Sequence, residues 1–242
     1  MEDVLDLLDS NEVAFANAEA KKDNARGDKV SLYNSTSIAP VKIDTNSFIT
    51  SGRTFAVRYY TEQPYTLPAD IKDKFIRIAS SLFNKGYKCR AVYNDRDPLL
   101  MDIAKLPNAD MQWYLPWKFK SLDKGVTVKM DKPNEKGYGI AFNNHKIFME
   151  LKEPIRALLA AEVHMLLGPD AVEPLSMYIT YSPNGAESFG NPKSKDRIDF
   201  KDMRNLVFSY RIAKEASIPI YNLKNDTALD RISNRVRVLD NH

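Results

Sequence analysis

The stretch Ser176-Met-Tyr-Ile-Thr-Tyr-Ser-Pro-Asn-Gly185 decides how this chain is read. Tyr178 to Tyr181 is aromatic and β-branched, which suits a strand, and Pro183-Asn184-Gly185 stops it in a turn, where Asn and Gly accept positive φ. A polar segment follows, Ala186 to Ile198, and then a helical pattern from Phe200 to Ala216 with Met203, Leu206, Val207 and Tyr210 on one face. A second short strand, Ile218 to Leu223, comes next. Strand, loop, helix, strand is the unit of a parallel sheet, because parallel neighbours need a long crossover. Ligands of open parallel sheets sit beyond the carboxyl ends of the strands. The stretch therefore points to a crevice as well as a fold.

Upstream, the same alternation repeats. Thr54 to Tyr60 reads as a strand, and Pro68 opens a helix whose stripe is Ile71, Phe75, Ile78, Leu82 and Phe83, closed by Gly86. Tyr87 to Tyr93 is a strand, then Asp97 caps a short helix that begins at Pro98. Met111 to Leu115 is a third strand. Val126 to Met130 suggests a β-ribbon within an irregular stretch, and a helical region runs from Tyr138 to Leu151. Pro154 starts a helix that Gly168 stops, and a last helix follows Asp226 as its cap. The expectation is an α/β fold, Rossmann-like and three-layered, with a mainly parallel sheet of five strands over residues 53–242. Residues 1–52 read as an amino-terminal helical arm: a short amphipathic helix from Asp3 to Asp9, an Ala-rich helix, and a linker from Asp28 to Gly52.

The 242 residues are 43% hydrophobic and 28% charged, ordinary for a globular domain with a substantial core. No apolar run is long enough to span a bilayer, the first nine residues are acidic rather than a basic export leader, and there is one cysteine, so a cytoplasmic setting is expected. A net charge of +3 is too small to mark a dedicated nucleic-acid binder, although Lys118, Lys120, Lys124 and Lys129 form a local basic cluster. Cys89 lies mid-strand and reads as a packing residue. Three histidines and one cysteine make a zinc centre a poor fit, and no cofactor is expected. Glu162 and His164 are two apart on one helix and so face different ways.

Several segments resemble phage-encoded proteins of the SLOG superfamily. These are Met111-Gln-Trp-Tyr-Leu-Pro-Trp-Lys118, the helix Leu158 to Gly168, Tyr178 to Gly185, and Ile212 through Ile218-Pro-Ile-Tyr-Asn-Leu223. That superfamily is Rossmann-like and includes DNA-processing protein A and the lonely-guy enzymes. The resemblance covers about Arg53 to Leu223 and implies a nucleotide-handling fold. It departs from the family at the glycine-rich phosphate turn, where this chain has Phe200-Lys-Asp-Met-Arg-Asn205, and it lacks the lonely-guy Pro-Gly-Gly-x-Gly-Thr signature. N-glycosidase chemistry is not supported, and no P-loop or nucleophile elbow occurs.

Residues just past the strands are then the candidate ligand set: Arg58, Tyr59, Asn94, Arg96, Trp117, Lys118, Ser182, Asn184, Gly185, Arg204 and Asn205. Arg grips phosphate in a fork, and Tyr and Trp offer faces to a base. The expected function is non-catalytic binding of a nucleotide-like small molecule, including a host signalling nucleotide. Two alternatives stay open: a single-stranded DNA-binding module using the lysine cluster, and a protein-interaction or host-takeover role for a chain whose ligand site has degenerated. A homo-oligomer is compatible with each.

Overall fold

The computed structural model describes residues 38–49, 52–61, 65–94, 96–118, 122, 126–187 and 206–241. The expectations for residues 1–37, for Lys120 and Lys124, and for Arg204 and Asn205 lie outside the described residues. The fold is α/β, with a six-stranded, wholly parallel sheet flanked by helices on both faces.

The strands are β1 (Thr54–Tyr59), β2 (Lys88–Val92), β3 (Met111–Tyr114), β4 (Val128–Met130), β5 (Met177–Tyr181) and β6 (Ile220–Asn222), in the order β4-β3-β2-β1-β5-β6. The helices are α1 (Ala69–Asn84), α2 (Pro98–Ala104), α3 (Glu135–Asn144), α4 (Glu153–Leu167), α5 (Leu206–Glu215) and α6 (Ala228–Asp240). Chain order runs outward from β1 on one side and then returns to its other side at β5. That reversal is the topological switch point, the place where ligands of open parallel sheets commonly sit.

Side-chain alternation sorts the core into two layers. Phe55, Val57 and Tyr59 of β1, with Met177, Ile179 and Tyr181 of β5, pack against α1, α2 and α6. Ala56 and Tyr60, with Tyr178, pack against α3, α4 and α5. Helix α4 is apolar nearly all round and lies in the middle of the second layer, which is why its sequence lacks a polar stripe.

The ends of the elements follow local chemistry. Asp97 caps α2, its Oδ1 accepting from the amides of Leu99 at 3.0 Å and Leu100 at 3.2 Å, with Pro98 in the first turn. Gly168 ends α4 at φ +79°, a conformation only glycine adopts without strain. Three expectations are corrected. The ribbon at Val126 to Met130 is a single parallel edge strand, β4, paired with β3. The helical region beginning at Tyr138 instead starts at Glu135, capped by Asn134, and gives way after Asn144 to a separate 3-10 turn at Phe148–Glu150. Asp226 is not the cap of α6; Thr227 holds that position without a side-chain bond.

Candidate functional site

Pairing register brings three polar residues into one line at the switch point. Arg58 of β1 is the partner of Thr180 of β5, and Thr180 is the partner of Asn222 of β6. By alternation all three face α4 and α5. Thr180 and Asn222 are fully buried, and the Arg58 side chain is 14% exposed. On the opposite face the same three strands present Tyr59, Tyr181 and Tyr221 to an apolar layer. The polar line belongs to one face only, at the carboxyl tips.

Each member has a partner from the elements packed over it. Arg58 pairs with Glu162 of α4 at 2.5 Å. Tyr210 of α5 meets Thr180 Oγ1 at 2.6 Å and donates to the carbonyl of Ala186 at 2.9 Å. A phenol has one hydrogen, so Thr180 is the donor to Tyr210. Asn222 donates both amide hydrogens, to Ser182 Oγ at 2.7 Å and to the carbonyl of Ala186 at 2.9 Å. Its Oδ1 accepts from the amides of Lys224 at 3.0 Å and Ser182 at 3.4 Å. Ser182 passes its own hydrogen to Asn184 Oδ1 at 2.7 Å, which also accepts from the amide of Ala186 at 3.1 Å. Glu187 closes the loop. Its Oε1 accepts from the Asn222 amide at 2.9 Å, and its Oε2 pairs with Arg231 of α6.

Among Thr180, Ser182, Asn184, Tyr210 and Asn222 each bond just named has a donor facing an acceptor, so residues 182–187 are folded down onto the tips of β5 and β6. Ser182 Oγ, buried and giving its hydrogen to Asn184, is a structural hydroxyl rather than a nucleophile. Burial pushes the phenols of Tyr178 and Tyr210 well above their ordinary range, so both stay protonated donors. The arrangement is a preorganised wall with a guanidinium at its edge. It can hold and orient a ligand; it carries no activated acid, base or nucleophile among the atoms just named.

The predicted ligand residues do not converge on one place. Arg58 is beside Thr180 at the switch point, on the strand whose continuation carries Ser182, the exposed Asn184 and Gly185 at φ +68°. Tyr59 points the other way and donates to Asp97 at 3.1 Å, holding the cap of α2; its ring is 8% exposed. Burial raises the Asp97 carboxyl, partly offset by the amides of Leu100 and Leu99 and the Tyr59 hydroxyl. Asn94 folds on itself: its Oδ1 accepts from the Arg96 amide at 3.0 Å and its Nδ2 donates to Tyr65 at 3.1 Å. Arg96 is exposed at the tip of β2. Trp117 is 2% exposed, both ring faces covered within the layer of α3 to α5, so it offers no face to a base. Lys118 and Lys129 are exposed near the β3–β4 edge, away from the switch point.

Sequence reasoning missed Thr180, Asn222, Glu162, Tyr210 and Glu187 as members of the network. One signal was available: a polar residue inside an otherwise apolar strand, as in Ile-Thr-Tyr181 and Tyr-Asn-Leu223, needs a partner when buried. Glu162 and His164 do diverge. His164 donates from Nδ1 to the Gly168 carbonyl at 3.1 Å and accepts at Nε2 from the Asn134 amide at 3.4 Å, and burial lowers it to about 4. Cys89 is buried in the α1–α2–α6 layer, which pushes its thiol up. Among the described residues no group of three or more His, Cys, Asp or Glu could hold a metal, and no helix is long and apolar enough to cross a membrane.

No family model, no curated protein and no solved structure matches this chain.

Proposed function

We propose that the chain binds a nucleotide or nucleotide derivative, without chemistry, in the crevice beyond the carboxyl ends of β1 and β5. The observation that supports this reading is the reversal of strand order between β1 and β5, with Arg58, Thr180 and Asn222 aligned beside it. Open parallel sheets take their ligands at such a reversal. On this reading Asn184 and Gly185, which follow β5, form the rim of the site, and Arg204 and Asn205, which precede α5 in the sequence, are assigned to the phosphate. The resemblance to SLOG proteins favours a nucleotide over other anions. A phage protein of this kind would sequester a host signalling nucleotide in the cytoplasm, since sequestration needs affinity and no catalyst.

The test is a thermal-shift panel of nucleotides at millimolar concentration. A ligand present at a hundredfold excess over its Kd stabilises the native state by about 2.7 kcal/mol. For a chain of this size that raises Tm by roughly 5–11 °C. Asn184→Asp places the test at the crevice. The carboxylate still accepts from Ser182 and Ala186, so the loop stays folded, while the added charge repels a phosphate. The unliganded Tm should hold and the ligand shift should vanish. No shift with any nucleotide sinks the proposal; affinity for labelled single-stranded DNA that falls steeply with salt would favour the DNA-binding alternative.

A further inference from the structure

A groove of about 410 Å³ runs between α1 and α6, on the sheet face opposite the polar line. Its floor is Ile78, Leu82, Ile232 and Val236, and Leu229, 41% exposed, stands at its side. The rim carries Lys74, Arg77, Lys85 and Arg237, and no carboxylate among the described residues lines it. Asp70 and Asp240 pair with Lys74 at 3.9 Å and with Lys85 at 2.7 Å from outside the lining, whereas Arg77 is bonded through Nε to the carbonyl of Asp73. An apolar floor inside a basic rim fits an amphipathic segment whose polar side is acidic.

This chain supplies one. It is Met1-Glu-Asp-Val-Leu-Asp-Leu-Leu-Asp9, which lies outside the described residues. At helical spacing Met1, Val4, Leu5 and Leu8 share a face, and Glu2, Asp3, Asp6 and Asp9 share the opposite one with no cation among them. The next candidate, Val13 to Ala20, is followed by Lys21, Lys22 and Arg26 and has the wrong charge for the rim. The described chain resumes at Ile38, so residues 10–37 connect the two. At ~3.3 Å per residue they reach about 90 Å when extended, enough to pass around a domain of this size.

We propose that residues 1–9 dock as a helix in the α1–α6 groove of their own chain, apolar face on the floor and carboxylates against the rim. The full chain tests it by cross-linking. Leu8→Cys with Leu229→Cys should form a disulfide within one chain, seen as a fast-migrating monomer on a non-reducing gel. Cys89 is buried and does not compete. Leu8→Cys with Met149→Cys, exposed on the other layer, is the control. Tethering without docking gives both pairs similar yields, whereas docking should favour Leu229 by about tenfold or more. Adding Arg77→Glu and Arg237→Glu should remove that preference, and a further Asp6→Lys with Asp3→Lys should restore it, with far-UV circular dichroism confirming the fold. Equal yields for the two pairs overturn the proposal. A cross-linked dimer overturns the same-chain assignment, and a preference unchanged by charge reversal overturns the role of the rim.

Discussion

Replacing Asn222 with alanine tests whether the 182–187 loop is held by the network described above. The substitution removes two donated bonds, to Ser182 Oγ and the Ala186 carbonyl. Both acceptors keep another partner, Asn184 for Ser182 and Tyr210 for Ala186, so neither is orphaned. The loss there is about 1 kcal/mol per bond. Oδ1 also leaves two amides. That of Lys224 belongs to an exposed residue and turns to water; that of Ser182 is buried and loses its acceptor, adding about 1 kcal/mol for a bond that was long at 3.4 Å. The expected loss is about 3 kcal/mol, a fall in Tm of roughly 6–12 °C. Urea unfolding measures it, and hydrogen exchange at residues 182–187 locates it. Asn222→Asp gives a second arm. Its carboxylate faces Ser182 Oγ and the Ala186 carbonyl without a donor and lies near Glu187, so its folded pKa should rise above the unfolded ~3.9. The folded state then binds the proton more tightly, and the variant should regain stability as pH falls from 7 toward 5. A loss under 1 kcal/mol for Asn222→Ala, with loop exchange unchanged, would refute the reasoning.

Other perturbations follow from single contacts. Glu162→Ala strands a buried guanidinium and should cost about 3–5 kcal/mol, while Arg58→Met with Glu162→Leu should recover most of it, both read from urea midpoints. Gly137→Ala puts a methyl 2.2 Å from His164 Nε2 and should cost about 1–3 kcal/mol; added to His164→Ala it should cost far less, since the ring it strikes is gone. His145, beside Phe208 and Arg211, and His164 are both lowered to about 4, by burial first. The unfolded imidazoles take protons near 6.5, so stability is full above that pH and falls as pH drops toward 4, by of order 3 kcal/mol per group. Denaturant midpoints at pH 7 and 5 measure the slope, and His145→Phe should remove about half of it; a flat profile in the parent chain would contradict neutral burial.

The parts of the fold legible in the sequence are those written in local chemistry. Asp97-Pro98 announces a capped helix, Gly86 and Gly168 stop helices at positive φ, and the stripe from Ile71 to Phe83 matches the buried face of α1. What was missed depends on distance along the chain. β4 is three residues long and shows no period, and it is a strand only because β3 offers it an edge. The start of α3 was hidden by Gly137 and Gly139, poor helix formers kept small by what they touch: His164 at one, Val41 and the Ala39 carbonyl at the other. The network was hidden for the same reason. Arg58, Thr180 and Asn222 are 122 and 42 residues apart and become neighbours only through register, which no local pattern specifies. Trp117 shows the converse error: a large aromatic past a strand tip suits a ligand face or a core equally well, and here the core takes it.

The asymmetry of the sheet bears on what the polar line is for. Strands β1, β5 and β6 bury their other face with Val57, Tyr59, Ile179, Tyr181, Tyr221 and Leu223, so apolar packing at this depth is available to the same backbone. Buried charge pairs give little net stability over apolar pairs of similar volume. Folding alone therefore does not require Arg58 and Glu162 where Met and Leu would serve. Their replacement as a pair separates the two roles. If the line only supports the fold, the double variant keeps both its Tm and its response to nucleotides. If the guanidinium at the switch point sets the charge of the crevice, the fold survives and the nucleotide response is lost. That outcome would tie the polar line to binding by an effect that stability does not share.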